Sequence, residues 1–348
     1  MYQVVCQREW KLEGLDLATA FLQTAPSAAD SQLWTSGVAE LREALQKNIY
    51  GSTTAPRGLW LDLHKTLCSL GARPAVGERC LWPWASETDE DGFPIIIGMM
   101  CGHVDDFHRI GDPRSEEWAY ICKRSDEAYK WGTAKVDEYR HAGTDIQVTR
   151  DRDGDQVITV NQQYYIDMLQ DVNIPPDRLC NEQAKLSSSE LASCRCALGN
   201  WQWLAIQTQP LLCGRCNVLL SELVKHGKMI SALEIQRMIC EVRQRPSELK
   251  FFKLKTAKSW KDVVVITLSD QAHNNRPGGD STGGLVTMMA GPEAKGGHVC
   301  PMVLLSWKSC KLKRKAISSN DAEVQAALEG EDHNFRVRLL WTEMHGAG

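Results

Sequence analysis

Three aspartates have the setting that cation chemistry requires. Asp105 and Asp106 stand together in Ile95–Asp112, IIIGMMCGHVDDFHRIGD, between two apolar runs. That pattern predicts a β-hairpin with two carboxylates at its apex. Asp16 stands in Leu15–Leu22, LDLATAFL, after a short apolar segment and before a helix-compatible run. Each has a plainer reading, since aspartate is common in turns and Asp16 suits a helix N-cap. Together they offer three hard oxygen donors. Two-metal phosphoryl transfer uses such a set to hold two Mg²⁺ ions about 4 Å apart.

Further along, Val263–Asp270 (VVVITLSD) is a β-branched run ending in an acid, and Ser318–Ala327 (SSNDAEVQAA) opens a helical pattern that contains Glu323. Asp270 also reads as a turn acid closing a strand. Glu323 also reads as the far member of a capping box begun by Asn320. Lys308–Lys315, KSCKLKRK, has five basic residues in eight, which suits phosphate contact, nuclear import or simply a solvated loop. Cys194-x-Cys196 and Cys213-x-x-Cys216 have a spacing that would suit a Cys₄ zinc site. The intervening LGNWQWLAIQTQP is rich in residues of buried type, which argues for a helix rather than a finger.

The elements that must position these groups fall into three regions. Residues 1–180 alternate short apolar runs with helical stretches. Residues 181–261 are mostly helical, with Leu198, Leu204, Leu219, Leu220, Leu223, Ile235 and Ile239 at roughly helical spacing, and close on a polar, basic boundary at Arg245–Lys261. Residues 262–348 give three strand-like runs, Val263–Leu268, Gly284–Met289 and Met302–Trp307, then a helix from Asn320 to about Met344. The expected class is α+β, with an α/β unit at the end.

The order of these segments resembles copia-type retrotransposon polyproteins over nearly the whole chain. LDLATAFL is similar to the first palm motif of their reverse transcriptases, and HVDD to their Tyr-Val-Asp-Asp motif. Asn48–Trp60, NIYGSTTAPRGLW, is similar to their LYGLKQAPR-W segment. Tyr139–Ile146, YRHAGTDI, stands where the family has its FLGI primer-grip turn, and Leu198–Pro210 matches a thumb stretch, VGSLMYLA-TRP. The C-terminal runs resemble, in order, the SDADWAG, STSGY, ISWKSKKQ and SSTEAEY segments of the family's RNase H domain.

The resemblance implies a reverse-transcriptase palm over 1–180 without its fingers, a thumb or connection over 181–261, and a truncated RNase H-like domain over 262–348. It implies that Asp16, Asp105 and Asp106 ligate two Mg²⁺ ions for nucleotidyl transfer, and that Asp270 and Glu323 ligate metal for hydrolysis of RNA paired to DNA. Phe21 would crowd the sugar 2′ position, Tyr50 and Gly51 would floor the nucleotide pocket, and Arg57 would support that loop. RNA template, DNA primer, deoxynucleoside triphosphates and RNA–DNA hybrid are the implied partners. His103 replaces the usual tyrosine before Val-Asp-Asp, and Ser52, Thr53 and Thr54 replace Leu-Lys-Gln. Without the basic residues of the fingers, weak nucleotide binding and little primer extension are expected. Without a fourth strand beside Val263–Leu268, an open sheet edge and self-association are expected. The rival expectations are an inactive remnant that at most binds nucleic acid, and a Cys-rich zinc-binding interaction module.

Composition bounds these readings. A chain of 348 residues with 43% hydrophobic and 24% charged residues reads as an ordinary globular protein of two or three domains. A net charge of −4 is low for a nucleic-acid enzyme, although a basic groove can coexist with acidic flanks such as Glu87–Asp91. The 13 cysteines read as reduced thiols. No apolar run suits a membrane span or a secretory signal, so a cytosolic or nuclear setting is expected.

Overall fold

The two apolar runs that flank Val104–Asp105 form the hairpin that the sequence predicts. In the computed structural model, which describes residues 1–23 and 55–346, strand β3 (Pro94–His103) turns into strand β4 (Asp106–Gly111) with Val104 at φ 60°. The two pair antiparallel, with His103 opposite Asp106 and Gly98 opposite Gly111. Strand β1 (Lys11–Asp16) pairs with the free side of β4, and β2 (Leu81–Thr88) with β3, giving the order β1-β4-β3-β2. The architecture is α+β with antiparallel sheets.

Two compact units divide the chain: Met1–Ala142 with Arg150–Gln156 and Leu339–Gly348, and Gly143–Thr149 with Val157–Arg338. In the first, helix α1 (Tyr2–Arg8) precedes β1, and a short strand β5 (Glu138–His141) comes later in the chain. Helix α2 (Ala55–Ser69) buries Ala55, Leu59, Leu63 and Leu67, a four-residue period that puts all of them on one stripe. Gly71, at φ 91°, ends it by taking the left-handed conformation that frees the last carbonyls for capping. Helix α3 (Glu116–Ala128) starts where the Ser115 side chain accepts from the Trp118 amide, with Glu116 and Glu117 in the first turn to complement the helix dipole. Leu15, Leu63, Trp82, Trp84, Phe107 and Trp118 share one apolar core. Burying each such side chain contributes roughly 1.5–3 kcal/mol.

The first sheet also solves a packing problem with glycine. Gly98 and Gly111 face each other across β3 and β4. A β-carbon at Gly98 would lie 2.3 Å from the Trp118 ring, and one at Gly111 would lie 2.1 Å from its Nε1. The indole therefore lies on bare backbone, and only glycine leaves room for it.

In the second unit, strands β6 (Thr144–Arg150), β7 (Gln156–Asn161) and β8 (Leu249–Phe252) are hydrogen-bonded in that order. A short helix α4 (Gln163–Met168) leads towards three longer ones, α5 (Ser188–Gln207), α6 (Pro210–Lys225) and α7 (Met229–Gln244). These pack around Leu198, Trp201, Leu204, Leu223, Ile235 and Ile239. A three-stranded sheet follows, β11-β10-β9, from β9 (Val264–Arg276), β10 (Asp280–Ala290) and β11 (Met302–Lys311). Helix α8 (Ser319–Glu343) packs against one face of it, where Asn334 Nδ2 donates to Thr267 Oγ1 at 3.0 Å. Helix α6 packs against the other, where Asn217 Nδ2 donates to the Ser309 carbonyl at 2.8 Å. The helical region and the strand region, distinct in sequence pattern, therefore fall within one unit. No helix among the described residues is long and apolar enough to cross a membrane.

Helix α5 begins with a capping box. Ser187 Oγ accepts from the Glu190 amide, Glu190 accepts from the Ser187 amide at 2.7 Å, and Arg178 donates twice to the same carboxylate at 2.9 and 2.8 Å. Arg178 first, and then the Ser187 amide, hold the Glu190 carboxyl down to about 2, against an ordinary value of 4.5. A carboxyl lowered by folding stabilises the protein above its unfolded pKa and loses that contribution as pH falls through its folded value. We expect Glu190→Gln to lower the urea midpoint at neutral pH and to flatten the stability–pH profile between about 4.5 and 2. An unchanged profile in that window would show that the box stores no folding free energy.

Candidate functional site

The site is built from the register of β1 on β4. Asp16, the last residue of β1, is the direct partner of Asp106, the first residue of β4. Directly opposed residues point to the same face, with Cβ atoms about 4.5–5.5 Å apart. His103 is the partner of Asp106 on β3, so Asp16, Asp106 and His103 form one row across three strands. Asp105 lies in the turn, and its carbonyl accepts from the Leu17 amide at 2.8 Å, which ties the turn to the end of β1. Leu15 and Phe107, one step away in register, point to the opposite face and join the apolar core.

Asp106 Oδ2 accepts from the Ala142 amide at 3.2 Å. None of the ion pairs among the described residues involves the three aspartates. Two like charges held opposite each other repel, by up to about 1 kcal/mol. Such an arrangement gains from a cation. Mg²⁺ commonly takes only one or two carboxylates and completes its octahedron with water and substrate phosphate. The Asp16–Asp106 pair supplies two carboxylates on one face. No group of three or more His, Cys, Asp or Glu side chains among the described residues is already gathered as a metal site, so a set for two ions is not preformed.

Behind the carboxylate row lies a group of aromatic rings that sequence reading missed. His108 shares the face of Asp106, two residues on, and is 2% exposed. Its Nε2 lies 3.0 Å from Tyr2 Oη and its Nδ1 3.2 Å from Tyr139 Oη. The His141 ring packs on it with centroids 3.6 Å apart. Burial, and then His141, push the His108 imidazole well below its usual range, so it is neutral at physiological pH. A neutral imidazole has one donor and one acceptor nitrogen, so one tyrosine hydroxyl donates to it and the other accepts. Burial likewise lowers His141, with Asp106 opposing. Period-two alternation from Asp106 would have placed His108 on this face. Tyr139 and His141 fall in the segment that resembles a primer-grip turn, but nothing local in the sequence pairs them or Tyr2 with His108, because these contacts span long chain separations.

The remaining expected residues are scattered. Phe21 is 8% exposed within the apolar core that includes Leu15, Leu59 and Phe107. Arg57 is exposed on the first turn of α2. Tyr50 and Gly51 lie outside the described residues. Asp16 ends a strand, and the 3₁₀ turn that follows covers Ala20–Gln23.

Asp270 and Glu323 are not brought together. On β9, Thr267, Ser269 and Gln271 face α8, and Gln271 Nε2 donates to Glu323 Oε1 at 3.3 Å. Asp270, one residue off, points to the other face, where it lines a pocket of about 640 Å³ with Leu211, Arg215, Val218 and Thr282. Glu323 also does not close a capping box with Asn320. Ser318 Oγ accepts from the Asp321 amide at 3.1 Å, and Asp321 Oδ2 accepts from the Ile317 amide at 3.0 Å.

The thirteen cysteines are free thiols. Cys194 and Cys216 sit in the apolar core of the helical region, where burial raises their thiols to about 11 and about 12, and Cys196 is exposed. Residues two apart on a helix point in different directions. That explains why the Cys-x-Cys spacing does not gather its sulfurs here. No protein-family model matches the chain, and no curated protein matches it.

Proposed function

We propose that the first unit carries a nucleotidyl-transfer site of the RNA-directed DNA polymerase type, and that the chain derives from a copia-type reverse transcriptase. The observation that carries the proposal is Asp16 opposite Asp106 beside the Val104–Asp105 turn. Asp16 and Asp106 would hold Mg²⁺, with Asp105 within reach on the turn. When bound, the ion would polarise a phosphoryl oxygen of the incoming nucleotide as a Lewis acid. The chain's own part is positioning. β1 and β4 fix the two carboxylates, the Ala142 amide orients Asp106, and His108 with its two tyrosines packs on the same face beside Asp106.

A second reading is a nucleic-acid-binding descendant that no longer catalyses. It is favoured by the burial of Phe21 and by Glu323 engaging Gln271 rather than Asp270. No hydrolytic step follows from that second pair, because the two carboxylates face apart.

Single-turnover addition of one deoxynucleotide to a primer annealed to RNA, with protein in excess, separates the readings. A low yield of product that requires Mg²⁺ is expected, in keeping with the weak nucleotide binding that the sequence implies. A folded protein that binds the hybrid yet forms no product with Mg²⁺ or Mn²⁺ overturns the polymerase reading and leaves the second.

A further inference from the structure

The hairpin end between β9 and β10 gathers positive charge that the carboxylate site does not use. The chain turns there through Pro277-Gly278-Gly279, with φ 94° and 75° at the two glycines. Side-chain-bearing residues are strained in that region. Two lysines from distant parts of the second unit reach this bare turn. A β-carbon at Gly278 would lie 3.2 Å from Lys225 Nζ, and one at Gly279 would lie 3.9 Å from Lys315 Nζ. Lys225 ends α6 and Lys315 follows β11, and both are exposed.

The charge behind the turn is unusual. Arg276 is 6% exposed, and its guanidinium donates to Thr282 Oγ1, Ser221 Oγ, Asn217 Oδ1 and the Asn217 carbonyl, all of them neutral. Buried cations ordinarily sit beside a carboxylate. Asp280 is the carboxylate on which Lys311, Lys315 and Arg276 all act, and Lys311 already holds it at 2.6 Å. The basic run Lys308–Lys315 therefore divides. Lys308 and Lys313 turn to Glu329 on α8, at 3.2 and 3.7 Å, while Lys311 and Lys315 turn to the hairpin.

We propose that this hairpin end contacts the phosphodiester backbone of a nucleic-acid strand, with Lys225, Lys315 and the Gly278–Gly279 turn as the contact surface and Arg276 as fixed charge behind it. Phosphate suits it because ammonium groups bind phosphate as point charges, and a backbone without side chains lets its oxygens approach. A polyanion suits it better than a single phosphate, because the cations come from three separate segments. The inference stands apart from Asp16 and Asp106 and does not depend on nucleotidyl transfer.

Fluorescence anisotropy of a labelled RNA–DNA hybrid with the full chain, in EDTA and across a salt series, tests it. For Lys225→Gln/Lys315→Gln, affinity is expected to fall about tenfold, and the slope of log K against log salt to shrink by about 1.4–1.8, as for two lost phosphate contacts. The control Lys65→Gln/Lys123→Gln removes the same charge from exposed lysines of the first unit and is expected to leave the slope alone. An unchanged slope in the first variant, or an equal loss in the control, overturns the proposal. Competition by inorganic tripolyphosphate as strong as that by unlabelled hybrid overturns the assignment to nucleic acid. The assay runs in EDTA, where no Mg²⁺-dependent addition takes place, so failure of catalysis and failure of this surface are read separately.

Discussion

Asp106→Asn is expected to abolish Mg²⁺-dependent nucleotide addition while leaving the protein as stable as before, or slightly more so. The two effects share one cause. Asp106 lies directly opposite Asp16, so folding brings two negative charges together. An amide removes the repulsion, worth up to about 1 kcal/mol, and its oxygen still accepts from the Ala142 amide. A gain of that size moves the midpoint of a domain this large by about 2–4 °C. Catalysis pays the opposite way, since losing one preorganised charge contact to a phosphoryl group commonly costs about 10²–10³-fold in rate. A third measurement links them. Ligands that bind only the folded state stabilise it by an amount that grows with the logarithm of their concentration over Kd, so Mg²⁺ should raise the melting temperature of the unaltered chain and not of the variant. Equal Mg²⁺ stabilisation of both proteins would remove the Asp16–Asp106 pair from cation binding. A variant that is less stable by more than about 1 kcal/mol would show that Asp106 is a structural acid.

Much of this site is legible in the residues themselves. Two apolar runs around Val104–Asp105 specify the hairpin, and β3 ends and β4 begins within a residue of that break. Helical spacing finds α5, α6 and α7, and the β-branched runs find β9, β10 and β11. What is not legible depends on which face a strand turns to a distant partner. Asp270 reads as the end of a strand, yet β9 runs on to Arg276 through polar residues, because pairing with β10 rather than burial sustains it. Asp270 therefore sits within the strand, and the face towards α8 belongs to Gln271. A one-residue offset in register reverses every side chain. Segment order, which carries the resemblance, is insensitive to that offset. Phe21 shows the same limit, since five residues after Asp16 it is drawn into the core by Leu59 and Phe107.

The register that holds Asp106 opposite Asp16 is guarded at the other end of the same strands, and there a single methyl group is expected to have the largest effect on stability. Gly111 closes β4, paired with Lys11 on β1 and with Gly98 on β3. A β-carbon at Gly111 would meet Trp118 Nε1 at 2.1 Å, far inside any contact that real carbons make. Trp118 cannot yield easily, because its ring also lies over Gly98 and against Trp84, with centroids 5.5 Å apart. Overpacking a core by one methyl typically costs about 1–3 kcal/mol, and we expect Gly111→Ala to reach or exceed the top of that range. Trp118→Ala should cost about 3–5 kcal/mol through the cavity that it leaves. Combined, the two should be less harmful than their sum by about 1–3 kcal/mol, since the cavity admits the methyl. Urea unfolding of the two single variants and the double variant measures this directly. Strict additivity, or a Gly111→Ala protein within about 0.5 kcal/mol of the unaltered chain, would show that the indole does not set the register. If it does, Gly111→Ala should also lose Mg²⁺-dependent stabilisation, because a slip of one residue on β4 carries Asp106 to the face opposite Asp16.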